Sequence, residues 1–171
     1  MNDFNRTVDS WINALDQYSF VQLCTKPSPD SWSAGQVYMH LINDTNYYLE
    51  QAGICLSNNH NADKEALPGG KIIFGNNDFP DMHIEGPASN TSVPEPAGKA
   101  VILHALYTIK VEMNRLALQI STTCFTGKTP HPGLGYFSAA EWLQFADIHL
   151  RHHFRQKKII YGFLKKKEEG H

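Results

Sequence analysis

The stretch HPGLGYFSAAEWLQFADIHLRHHFRQ, residues 131–156, decides the fold. Ser138 followed by Glu141 makes a capping box, in which the hydroxyl accepts from the third helical N–H and the carboxylate answers to the cap's own N–H. Phe137 and Trp142 flank the box as a hydrophobic staple. From there Trp142, Ala146, His149, His153, Gln156, Ile160 and Phe163 recur in alternating steps of four and three. That spacing belongs to a helix facing its partners in a bundle. Two consecutive positions of the seam are histidine.

Three more helical patterns lie upstream. Phe4, Val8, Trp11, Ile12 and Leu15 set a helix over about residues 5–18, broken near Pro27 and Pro29. Ser33 and Gln36 form a second capping box, with Trp32 stapled onto Val37, and the apolar face continues through Leu41 and Tyr48 to about Ser57. A third helix is expected to open at Pro96, because proline suits a first helical position, and its stripe is Ile102, Leu106, Ile109, Met113, Leu116 and Ile120. The interval 58–95 holds Pro68, Gly69, Gly70, Pro80, Gly86, Pro87 and Pro94 and no sustained period. Loops of that length are usually functional or disordered. The expected fold is all-α: one four-helix-bundle domain over residues 1–171, with a long loop between helices two and three.

Composition narrows the function. The 171 residues are 42% hydrophobic and 19% charged, an ordinary globular balance. The net charge of -2 gives no basic excess for nucleic acid or an anionic membrane. No apolar run approaches the roughly 20 residues of a membrane span. The start, MNDFNRTVDSW, has no leader-like basic and apolar regions. Cys24, Cys55 and Cys124 are odd in number and widely spaced, which indicates neither a disulfide framework nor a thiolate metal site. A soluble, cytoplasmic protein acting on a small molecule is expected.

Histidine is the unusual residue, with nine in the chain. His40 falls between Val37 and Leu41 on the buried face of helix two, with Asp44 one turn on. His149 and His153 form an HxxxH pair that puts two imidazoles on one helix face, as helical metal sites do. Neutral imidazole binds zinc, nickel, copper or iron, and three such ligands leave the coordination sphere partly open, the catalytic pattern. The competing reading is three core histidines, each hydrogen-bonded to a polar partner. In an alternating bundle helices two and four would run parallel, and bringing His40 to the pair would require a stagger of roughly 6–12 Å between them. His152 is the rival for either seam histidine, while His104 reads as a packing or surface residue. His60, His83, His131 and His171 fall in loops or the tail, with His83 able to reach a site under the long loop.

Two segments resemble one family. SWSAGQVYMHL (31–41) is similar to the second-helix motif of the DinB-like metalloenzymes, and residues 131–156 resemble their fourth-helix signature of a glycine-containing turn, an EWL-like start and HxxxH followed by Gln. The resemblance implies a four-helix bundle in a variant of up-and-down topology. It also implies a divalent metal, often nickel or zinc, on His40, His149 and His153. Some relatives are thiol S-transferases or isomerases that use low-molecular-weight thiols, others are labelled hydrolases, and relatives often form homodimers.

Asp44 is the candidate catalytic residue, as a general base or as a group orienting a histidine. Glu112 is a weaker candidate, and Gln156 is expected to satisfy polar groups at the floor of the site. Tyr47, Tyr48 and Trp142 could line a pocket or simply fill the core. Cys55 and Cys124 have no activating neighbours and read as inert. Arg151, Arg155, Lys157 and Lys158 form either an anion patch or a solvated face. Two functions follow: a metal-dependent enzyme, transferase-like or hydrolase-like, or a non-catalytic metal- or ligand-binding bundle connected with stress.

Overall fold

A computed structural model describes residues 2–80 and 93–169. Its helices are α1 (Asn2–Leu15), α2 (Phe20–Leu23), α3 (Ala34–Cys55), α4 (Pro68–Asn76), α5 (Lys99–Ile120), α6 (Ala139–His152) and α7 (Phe154–Glu169), with strands β1 (Lys128–His131) and β2 (Gly135–Ser138) between α5 and α6. Both expected capping boxes form. Gln36 N–H donates to Ser33 Oγ at 3.0 Å while Ser33 N–H donates to Gln36 Oε1 at 3.1 Å. Ser138 N–H donates to Glu141 Oε2 at 2.8 Å, and Glu141 N–H returns to Ser138 Oγ at 3.4 Å. A third box, Ser19 with Gln22, opens α2.

Side-chain pairings fix the helix directions. Asn5 meets Asn114 and Asp9 meets Lys110, so α1 and α5 are antiparallel. Gly35 lies against Pro96 and Gly53 against Leu116, so α3 and α5 run parallel. Thr7 bonds Asp147 and Trp11 bonds the Leu150 carbonyl, so α1 and α6 run parallel. His40 packs on His149, Tyr48 on Trp142, and Cys55 reaches the Phe137 carbonyl, so α3 and α6 are antiparallel. The order is up, down, down, up. This corrects the expectation of parallel helices two and four. The excursion from 56 to 98 brings the chain back to the end where α3 began, and His40 meets the C-terminal end of α6 with no stagger required.

The core fills the space between these four helices. Trp11, Leu15, Tyr38, Leu41, Ile102, Leu106, Ile109, Leu116, Trp142 and Ile148 are all buried. The stripes read from periodicity on α1 and α5 are therefore the faces that pack. Among the described residues, no helix is long and apolar enough to cross a membrane.

Three elements depart from the sequence expectation. The turn before the fourth helix is a two-stranded hairpin, with Thr129 opposite Phe137 and His131 opposite Gly135. Within the long interval, where no sustained period was found, Pro68, Gly69 and Gly70 open α4, with proline in its first turn. The fourth helix is not continuous: His153 caps α6 and α7 restarts at Phe154. Beyond the break the expected seam holds at Ile160, which is buried, while Phe163 is half-buried and Leu164 takes the buried position next to it.

Gly135 holds the hairpin against the chain before α4. Its φ is +88°, and a Cβ there would lie 2.6 Å from the Leu67 nitrogen and 2.8 Å from the Glu65 carbonyl oxygen. Left-handed strain and backbone overlap add, so Gly135→Ala is expected to destabilise the fold by about 3 kcal/mol. Urea denaturation checks this through a lowered midpoint; a shift under about 0.5 kcal/mol would show that the turn relaxes freely.

Candidate metal centre

His40 and His149 are buried, and His153 is half-buried at the α6–α7 break. His149 Nε2 lies 3.2 Å from His40 Nε2 and 3.2 Å from His153 Nε2. The three ring centroids stand 4.8–4.9 Å apart, and one nitrogen from each ring falls within 4.8 Å of the others. No other group of three or more His, Cys, Asp or Glu gathers this way among the described residues.

Hydrogen bonding alone does not account for the arrangement. His149 Nε2 faces two other nitrogens and carries at most one proton. Two imidazole nitrogens, each about 2.1 Å from a common ion, sit roughly 3.0–3.4 Å apart. Both separations from His149 Nε2, 3.2 Å each, match that requirement, and the His40 and His153 nitrogens lie within 4.8 Å of each other. The donor set fits a divalent ion, and the three-histidine group could bind one.

Electrostatics favours the ligating form of each ring. Burial holds His40 and His153 down to about 4. His149 is pushed well below the ordinary histidine value, by burial first and then by the neighbouring histidines. All three are neutral near pH 7, with lone pairs available. His153 Nδ1 donates to Gln156 Oε1 at 2.8 Å, which leaves Nε2 unprotonated and aimed at the cluster. Gln156 thus occupies the floor position expected of it.

Asp44 sits one turn beyond His40, with Oδ2 3.6 Å from His40 Nδ1 and 3.8 Å from His149 Nε2. The Tyr48 hydroxyl donates to the same oxygen at 3.4 Å. Burial raises the Asp44 carboxyl to about 6, yet its side chain stays 32% exposed, so the group faces both cluster and solvent. Trp32, read from sequence only as a staple, lies 5.0 Å from the His40 ring. Tyr48 packs edge-on to His149 and stacks on Trp142, with Tyr47 on the exposed rim. No periodic signal marked Trp32 as part of the site, because it precedes the helix.

The remaining candidates fall elsewhere. His152 is exposed and packs on Phe79 and the flank of His153 rather than joining the cluster. His60 and His104 are exposed, and His83 and His171 lie outside the described residues. His131 is not a solvated loop histidine; it ends β1 and stacks on Phe137 beside Trp142 and Phe145. Glu112 pairs with Arg115 on α5. Cys55 is buried against Thr129, and burial pushes its thiol up, consistent with an inert residue. The basic run does not form one patch, since Arg151 pairs with Asp147 while Lys157 lies over the Trp11 and Phe154 rings.

A bundle of this topology with a buried three-histidine cluster defines a class compatible with metal binding. The family model for the DinB superfamily matches residues 3–156, and the chain belongs to that superfamily. A crystal structure described as that of TT2238, a four-helix bundle protein, is similar in fold. The likeness has a TM-score of 0.57 at 11% identity and covers 92% of this chain and 94% of that one. No curated protein matches the sequence.

Proposed function

We propose that His40, His149 and His153 hold one divalent ion, nickel or zinc, and that the protein is a metal-dependent enzyme activating a small nucleophile, a thiol or water, against a small electrophilic substrate. The convergence of three neutral imidazoles, one nitrogen of each turned to the others, carries this reading. A bound ion would supply Lewis acidity and lower the pKa of the nucleophile. His153 is oriented by Gln156, and Asp44, hydrogen-bonded by Tyr48, lies beside His40 and His149. From there its partly exposed carboxylate can take the nucleophile's proton. Trp32 packs on the His40 ring and Tyr47 on Tyr48, so these aromatics border the proposed centre.

Cobalt(II)-substituted protein titrated with small thiols tests the reading. A new sulfur-to-metal charge-transfer band supports transferase-like chemistry with a low-molecular-weight thiol. Absence of the band together with cleavage of activated esters or amides supports the hydrolase-like form. Neither band nor cleavage by the metal-loaded protein overturns the enzymatic reading.

Asp44→Asn separates proton transfer from metal binding. The amide preserves shape but accepts no proton, so turnover is expected to fall roughly 10²–10⁴-fold. Metal content measured on the same sample should stay near one ion per chain. Unchanged turnover would remove Asp44 from the chemistry.

A further inference from the structure

A second concavity lies across α6 from the histidine cluster. It measures about 360 Å³ and runs between α1 and the α6–α7 corner, with Asn77 at its end. That volume is in the range of small-metabolite sites. Its wall is built around Asp147, whose side chain is 12% exposed. Thr7 Oγ1 donates to Asp147 Oδ1 at 2.7 Å, and Arg151 Nε donates to Oδ2 at 2.9 Å. Arg151 Nη2 also donates to the Asn77 carbonyl oxygen at 2.8 Å.

These bonds hold the guanidinium by one edge. Arg151 Nη1 donates to no described residue, so its hydrogens remain available along the concavity. A guanidinium already fixed by a buried carboxylate loses little freedom on meeting an anion, and its planar fork matches a carboxylate. Arg6 supplies a second cation from α1. It pairs with Asp3, which also lines the concavity; both side chains are more than three-quarters exposed, and exchanging such a pair costs little. Ser10 lines the concavity with its hydroxyl donated to the Arg6 carbonyl oxygen at 2.8 Å, and Phe154, stacked on Trp11 and capped by the Lys157 ammonium, adds an apolar edge.

We propose that this concavity binds a small organic carboxylate, with the carboxylate between Arg151 and Arg6 and an aromatic or apolar body against Phe154. The site is separate from the histidine cluster and does not depend on bound metal.

Benzoate and acetate titrated into the ¹⁵N-labelled, metal-loaded protein and followed by NMR provide the test. Benzoate is expected to shift Arg6, Thr7, Ser10 and Arg151 saturably, and to bind about tenfold more tightly than acetate because of the ring. Arg6→Ala, an exposed substitution that spares the core, should weaken benzoate about tenfold. The same titration on metal-free protein should give the same affinity. Shifts confined to residues around His40 and Asp44, equal binding of acetate, an unaffected Arg6→Ala variant, or no saturable shift would each overturn the proposal.

Discussion

His149→Ala is expected to empty the metal centre while leaving a folded bundle. His149 is the middle member of the cluster, with the other two Nε2 atoms each 3.2 Å from its own. Removing it leaves His40 and His153, on different elements with rings 4.9 Å apart, as a two-ligand remnant. Structural zinc sites with four ligands carry about 10–16 kcal/mol, so one ligand corresponds to roughly 3–4 kcal/mol, or a loss of about 10²–10³ in affinity. Elemental mass spectrometry after dialysis against a weak chelator should find about one nickel or zinc per wild-type chain and almost none in the variant. His152→Ala is the matched control. It removes an exposed imidazole from the adjoining turn and should keep its metal. Circular dichroism on the same samples separates loss of ligand from loss of fold. A folded His149→Ala protein retaining a full equivalent of metal would refute the proposed site.

The residues of that site were legible because helical periodicity places them before any coordinates exist. Ser33 and Ser138 announce the starts of α3 and α6, and counting from them puts His40 and His149 on inward faces. The direction of the helices was not legible. Periodicity is blind to whether a partner runs parallel or antiparallel, and the expected stagger rested on simple alternation. The return of the chain between α3 and α5 is a long-range property that no local pattern encodes. The hairpin was missed because its strands are four residues each and one contains proline, so no alternation could register. The turn at Gly133 and Gly135, both at φ +88°, is what closes it. The break at His153 was hidden for the opposite reason, because the four-and-three spacing continues across it. Trp32 precedes its helix, where side-chain direction depends on tertiary packing alone.

The second large effect is expected at Trp142, where the core and the site meet. Its side chain is fully buried, stacked on Tyr48 with centroids 5.6 Å apart and edge-on to Phe137 at 4.9 Å. Its Nε1 donates to Thr129 Oγ1 at 2.7 Å, so it also ties α6 to the hairpin that precedes it. Trp142→Ala removes the indole, opens a cavity, and leaves the buried Thr129 hydroxyl with only its weak contact to Cys55 Sγ. Replacing a core tryptophan by alanine costs about 3–5 kcal/mol. For a domain of this size that corresponds to a fall in Tm of roughly 10 °C. Trp142→Phe keeps most of the apolar contact and loses the hydrogen bond, and should cost about 1–2 kcal/mol. The order of the two variants in denaturant midpoint, at constant slope, measures how the residue divides its work between packing and hydrogen bonding. Equal losses would mean that the bond to Thr129 dominates. The imidazoles lie on the other side of Tyr48, so folded Trp142→Ala protein should still carry metal, in contrast to His149→Ala. Stability and metal content then respond to different residues on one helix, as expected if the hydrophobic face of α6 builds the bundle and its C-terminal turn builds the centre.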